Sequence, residues 1–307
     1  MKKFLLHSAI FSVPLLVVVF TVFYIANGKT DSYYLRFTTP QQQNLILGTS
    51  GAAQGLQPQI LDTIVFKNTP QHFFNYSFSF FDSPFGPAYL ESIKRKLDPA
   101  TKDGVFIIAV NPWSIAIKKN ELDDPADYSE NKRFIAKTKL VNLNPNIPYL
   151  VQSYNEPYIN IIRKWKDSSD MVLHEDGWME IDVSMDSASV LKHRNNKVKE
   201  YLQDYLPVYE FSGERYGSLR ELITFLQNHG KVYLVRLPIH PVMFEIEDKV
   251  MPDFDDKIIS LAAACKVPYL NFKKMDNHYQ YVDGNHLYKA SGKEVSDSVA
   301  TWIAAKK

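Results

Sequence analysis

The chain has 307 residues, with 35 basic against 34 acidic side chains and a single cysteine. This balance argues against a polyanion-binding protein, so nucleic acid is not expected as a partner. One cysteine excludes an intramolecular disulfide. Aromatic residues make up 13 % and low-complexity stretches are absent, as expected of a folded chain.

The first segment bears on compartment. After the basic start Met1-Lys2-Lys3, the run from Ala9 to Ala26 carries no charge. At ~1.5 Å per residue, ~18–20 such residues nearly span a ~30 Å hydrocarbon core. Lys2 and Lys3 favour a cytoplasmic N-terminus with the rest of the chain outside. The rival reading is a cleaved signal peptide, but FYIANGKTD is a poor cleavage site. Residues 1–30 are therefore expected to form an uncleaved single-pass anchor in the cytoplasmic membrane. Residues 31–307 are expected to form one large α/β domain facing the periplasm or cell exterior.

Residues 28–43 read as a polar, partly extended linker. NLILG (44–48) is an apolar run stopping at glycine, as a buried parallel strand does. FFNYSFSFF (73–81) reads as a second strand. AYLESIKRKL follows as an amphipathic helix with Leu90, Ile93 and Leu97 on one face. GVFIIAVNPW is a third strand, ending at Asn111-Pro112. Regularity fails over about 118–200, which reads as an insertion, a lid or substrate-facing subdomain. It holds a helix near 157–166 and a hairpin at MVLHEDGWMEIDV. Next come a helix at 218–229 closed by Gly230, the strand KVYLVRLPIHP, a helical 252–266 and the short strand VPYLNF. A terminal helix begins with Ser291 as N-cap and Glu294 three residues on. This alternation predicts α/β layering.

Two places carry chemistry. Ser50 lies just past a buried strand between Gly48 and Gly51, where sites form in open α/β sheets. There a serine can expose its hydroxyl and turn its own N–H toward a substrate. Asp283-Gly284-Asn285-His286 can supply both a base and the acid that orients it. Each alone has a plain reading, as a glycine turn and as a turn before a helix. Their order along the chain favours the chemical one.

That order, with the ILGTSGAAQGLQP block and the single N-terminal anchor, resembles the SGNH (GDSL-like) hydrolase superfamily. Within it, the chain is similar to the membrane-anchored DltD-like and alginate O-acetylation-like branches. The resemblance implies a flavodoxin-like three-layer α/β/α sandwich around a parallel sheet, preceded by the transmembrane helix. It also implies Ser50 as nucleophile, His286 as base and Asp283 as orienting carboxylate. The family's middle block supplies an oxyanion-donating Asn, and Asn111 matches it without the accompanying Gly and Asp. The second block should supply a glycine N–H. Ser79, Ser83 and Gly86 all offer that position, and Gly86 is carried forward with Asn111. Thr49 stands where the family has Asp.

The implied activity is acyl transfer or ester hydrolysis on O-acyl groups of cell-surface or exported glycans, or of a lipid-linked substrate. A polytopic membrane-bound O-acyltransferase is the implied partner. A plain tethered esterase or deacetylase and a catalytically silent envelope scaffold are the alternatives. No cofactor is implied. His278 and His286 lack a tight ligand cluster, so no metal is expected. His240 lacks the acid partner that His286 has, Trp113 and Trp178 read as buried aromatics or a sugar surface, and KHRNNKVKE reads as a solvated helix face.

Overall fold

The computed structural model describes residues 1–166, 170–275 and 278–306. The strands are β1 (Asn44–Leu47), β2 (Phe73–Asn75), β3 (Gly104–Ala109), β4 (Ala116–Lys118), β5 (Met171–Leu173), β6 (Met179–Ile181), β7 (Tyr209–Phe211), β8 (Gly230–Arg236) and β9 (Tyr269–Asn271). The helices are α1 (Lys2–Tyr24), α2 (Ser50–Gly55), α3 (Pro58–Val65), α4 (Pro87–Lys96), α5 (Phe134–Lys137), α6 (Ile147–Gln152), α7 (Ile159–Lys166), α8 (Ser187–Glu200), α9 (Gly213–Gln227), α10 (Pro241–Val250), α11 (Phe254–Cys265) and α12 (Lys289–Ala304).

Five strands form a parallel sheet in the order β2-β1-β3-β8-β9. Because its strands are covered on both faces, they are apolar runs whose alternate residues enter different layers. Phe106 and Ile108 join the core built with α4, α9 and α11, whereas Val105 and Ile107 join the one built with α3 and α12. The result is the expected three-layer α/β/α sandwich with flavodoxin-like strand order, and an apolar helix precedes it. Strand order reverses between β1 and β3, which opens a crevice beyond their carboxyl ends. α1 is long and apolar enough to cross a membrane.

Several local expectations shift. The second strand stops at Asn75, although Tyr76 and Phe78 still donate to Ile46 and Gly48 of the neighbouring strand's line. The 28–43 segment is not a solvated linker. Tyr34–Phe37 forms a 3-10 turn, and Arg36 is wholly buried, donating to the carbonyls of Asn75, Ser32 and Gly177. Gly230 caps no helix: α9 ends at Gln227 with Asn228 as cap, and Gly230 opens β8 against Gly104. α12 starts before Ser291, whose hydroxyl accepts from Gln280 N instead. α10 has no counterpart in the sequence reading.

The 118–200 stretch divides in two. Phe134 and Tyr149 stack into an aromatic cluster with Phe37 and Phe78, on the side where α1 enters. α8 and the π-helical turn Tyr201–Tyr205 instead run toward the 283–286 loop. The expected hairpin forms as β5 and β6, and the expected helix forms as α7.

Candidate active site

The β1 strand ends in a turn that only glycine accommodates. Gly48 has φ +147°, and a Cβ there would lie 2.9 Å from the Ala109 carbonyl oxygen. This close pass of β1 over β3 brings Thr49 and Ser50 beside Asn111. Thr49 is the N-cap of α2, and its carbonyl accepts from Ala52 N and Ala53 N at 3.0 Å each. Ser50 and Gly51 therefore lie ahead of the first intrahelical bond, where N–H groups have no carbonyl one turn back.

The 283–286 loop folds on itself. Gly284 takes φ +87°, and the Asp283 carboxylate accepts from Asn285 N at 3.0 Å and His286 N at 2.9 Å. That fold turns the imidazole back onto the carboxylate: His286 Nδ1 lies 2.9 Å from Asp283 Oδ2. An ionised carboxylate only accepts, so Nδ1 carries the proton and Nε2 presents its lone pair. Nε2 lies 2.9 Å from Ser50 Oγ. Burial by itself pushes the Asp283 carboxyl up, but His286 beside it, through its ring and backbone hydrogen bonds, and Lys197 nearby hold it well below the usual carboxylate range.

Asn111 performs two tasks. Its Oδ1 accepts from Ser114 N at 2.9 Å, capping the 3-10 turn Pro112–Ile115, while its Nδ2 donates to Thr49 Oγ1 at 2.9 Å. An amide nitrogen has two hydrogens, so one remains for an acceptor in the crevice. Asn111 lines that crevice together with Ser50 and Gly51, and Phe80, Trp113 and Tyr201 form its aromatic wall. Trp113 is buried, its ring edge-on to Tyr201. Trp178 lies outside this crevice, stacked on His174 with its indole N–H on the Gln54 carbonyl.

The structure does not bring Gly86 to this group. Gly86 caps α4, and its α-carbon faces the buried Glu130–Arg215 ion pair and Tyr128. The hydroxyls of Ser79 and Ser83 donate to Asp82 and to the Gly48 carbonyl, and the Ser83 N–H donates to the Ser79 carbonyl. Ser50, Gly51 and Asn111, which carry two backbone N–H groups and a side-chain amide, line one crevice.

Sequence reasoning missed what surrounds the loop. Lys197 on α8 lies 3.9 Å from Asp283 Oδ2 and 2.8 Å from Glu200. Arg194, one turn earlier, donates to His240 Nε2 at 2.9 Å, and His240 N donates to the Gly284 carbonyl. Burial first and Arg194 second push the His240 pKa down, and the tie to the loop is made by the His240 backbone N–H. Both cations belong to the charge run read as a solvated face. Their i, i+3 spacing was the available signal. Among the described residues no group of three or more His, Cys, Asp and Glu converges.

No family model matches the chain, and no curated protein matches it. Among solved structures, the chain is similar to a carbohydrate acetylesterase from Sinorhizobium meliloti, at 11 % identity and TM-score 0.41, covering 87 % of this chain and 100 % of that one. It is also similar to an aryl esterase from M. smegmatis, at 12 % identity and TM-score 0.39, covering 86 % and 99 %. At TM-scores of 0.41 and 0.39 neither likeness bears on chemistry, and the side-chain geometry must carry the functional reading.

Proposed function

We propose that this chain is an SGNH-type serine esterase or O-acyltransferase that works through an acyl-Ser50 intermediate. The observation that carries the reading is the unbroken line of hydrogen bonds from Ser50 Oγ through the His286 ring to the Asp283 carboxylate. The same three side-chain types in this order make a serine hydroxyl nucleophilic on unrelated folds.

The steps follow from the atoms. Ser50 Oγ attacks the ester carbonyl carbon as its proton passes to His286 Nε2. The oxyanion forms against the N–H groups of Ser50 and Gly51 and the free hydrogen of Asn111 Nδ2. Collapse breaks the bond to the leaving alcohol, which takes the proton from Nε2. An incoming hydroxyl then gives its proton to Nε2 and attacks the acyl carbon, and the second collapse restores Ser50. Throughout, Asp283 remains ionised and stabilises the charged ring. When the incoming group is water the outcome is hydrolysis, and when it is a sugar hydroxyl the outcome is transfer.

In this reading α1 is a membrane anchor that holds the domain at the outer face of the cytoplasmic membrane. The substrates are O-acyl groups of cell-surface or exported glycans, or lipid-linked forms of them. A polytopic membrane-bound O-acyltransferase is the partner that delivers the acyl group when transfer is the outcome. The test is covalent labelling of the full chain by a fluorophosphonate, with turnover of an activated acetyl ester. Labelling of the wild type and its loss in Ser50→Ala is the expected result. A wild-type chain that is folded yet unlabelled would instead favour the silent scaffold. Acetyl transfer to an added oligosaccharide, compared with release of free acetate, separates transferase from esterase.

A further inference from the structure

The helix α7 is more apolar than its packing requires. At ~100° per residue, Ile161, Trp165, Ile162 and Ile159 fall on one arc of about 160°, shared only with the last helical position, Lys166, while Arg163, Asn160 and Lys164 fall on the other side; Tyr158 stands in the turn just before the helix. The core claims only one edge of that arc, where Ile161 is fully buried. Beyond it, Trp165 is 46 % exposed, Tyr158 43 %, Ile162 40 % and Ile159 49 %. A solvated helix has no reason to present such a stripe, and isoleucines contribute nothing polar to offset it.

Its position relative to α1 says what covers the stripe. The Phe23 ring, in the last turn of α1, meets the Tyr158 ring edge-on at 5.3 Å. Lys164 Nζ donates to the Thr30 carbonyl just past the exit of α1, and its other bonds go to Glu156. From Lys3 to Phe23 the helix rises ~30 Å, the thickness of a bilayer's hydrocarbon core. With Lys3 at the inner boundary, Phe23 and Tyr158 stand at the outer one. Tyrosine and tryptophan favour that level, and exposed cations such as Arg163 face the phosphates there.

We infer that α7 is an interfacial helix lying on the outer leaflet of the membrane that α1 crosses, its exposed stripe inserted among the lipids. The inference rests on the reading of α1 as a membrane anchor. Such docking fixes how the Ser50 crevice is presented to the bilayer, because α7 and α1 then hold the domain at two points.

The experiment uses the full chain, with Cys265→Ser, in vesicles of phosphatidylethanolamine and phosphatidylglycerol. Nitroxide labels are placed singly at Ile162→Cys, Ile159→Cys, Val13→Cys within α1, and Asp297→Cys on α12 across the sheet. Cooperative melting verifies that each variant is folded. The ratio of oxygen to nickel-chelate accessibility reports lipid exposure. The expected result is a ratio at 162 and 159 several-fold above that at 297, with 13 higher still. Lipid exposure at 13 with water exposure at 162 and 159 overturns the docking and leaves the anchor standing. Water exposure at all four positions overturns both. Labels at 162 and 159 shielded from both reagents point to a protein partner, a second copy included, and overturn lipid as the occupant.

Discussion

The side-chain amide of Asn111 donates to the hydroxyl of Thr49 across the crevice between β3 and β1, at 2.9 Å. Thr49, the residue before Ser50, thus aims the amide that receives the oxyanion in the proposed mechanism. Asn111→Ala is expected to lower kcat by about 10²–10³, the range for one lost oxyanion donor. Thr49→Val keeps the shape and removes the acceptor, and should cost about 10-fold through misplacement alone. The double variant should lose no more than Asn111→Ala, because both act through one amide. Steady-state kinetics on an activated ester measures all three, and additive losses would separate Thr49 from Asn111.

Asp283→Asn tests the orienting carboxylate. The amide fills the same space but can present a donor to Nδ1, which favours the wrong tautomer at Nε2. A loss of about 10⁴ in kcat is expected, with KM little changed. Since Asp283 sits well below the usual carboxylate range, its protonation should contribute no acid limb to the wild-type pH profile above pH ~4.

Lys197 gives a positional prediction. Its ammonium lies between Glu200 and the Asp283 carboxylate and is one of the groups that hold that carboxyl low. Lys197→Met removes the cation and keeps the apolar length of the side chain. A few-fold fall in kcat with KM unchanged is expected from a loosened loop, and Lys197→Arg should restore most of it. An unchanged kcat in Lys197→Met would make Lys197 a surface residue only.

Lys96 bears on stability. It is buried, and its ammonium donates to the Thr39 carbonyl, the Thr39 hydroxyl and the Val141 carbonyl. Burial pushes its pKa down to about 7 from an ordinary 10.5. Between those values the unfolded chain holds a proton that the folded chain releases, so stability rises with pH across that window, on the order of 1 kcal/mol per unit. Below about 7 both states are charged and the slope from this group vanishes. Urea unfolding from pH 7 to 10 should show the rise, and Lys96→Met should flatten it.

Much of the layering was legible because it is written locally. The runs at 44–48 and 104–110 are almost wholly apolar, as doubly covered strands are, and 232–235 repeats the pattern between Lys231 and Arg236. Leu90, Ile93 and Leu97 repeat at helical spacing and are all buried. The buried 3-10 turn at 34–37 was not legible. Arg36 in a polar-looking stretch reads as solvated, and only the arrival of the Asn75 and Gly177 carbonyls makes its burial tolerable. Gly86 was misread for a similar reason: a glycine after a strand looks like an oxyanion donor until the Glu130–Arg215 pair is seen beside it.

By itself, the sequence determined the apolar first helix, the α/β alternation and the short loop that turns His286 onto Asp283. Each depends on residues within a few positions of one another, through hydropathy period or an Asp–Gly turn. Only the tertiary structure decided that Ser50 Oγ meets an imidazole 236 residues away, and that Asn111 is held by Thr49. It also decided that α8 sends Lys197 to the same loop. Those meetings follow from the reversal of strand order between β1 and β3 and from the packing of helices over it, and neither leaves a periodic trace in the chain.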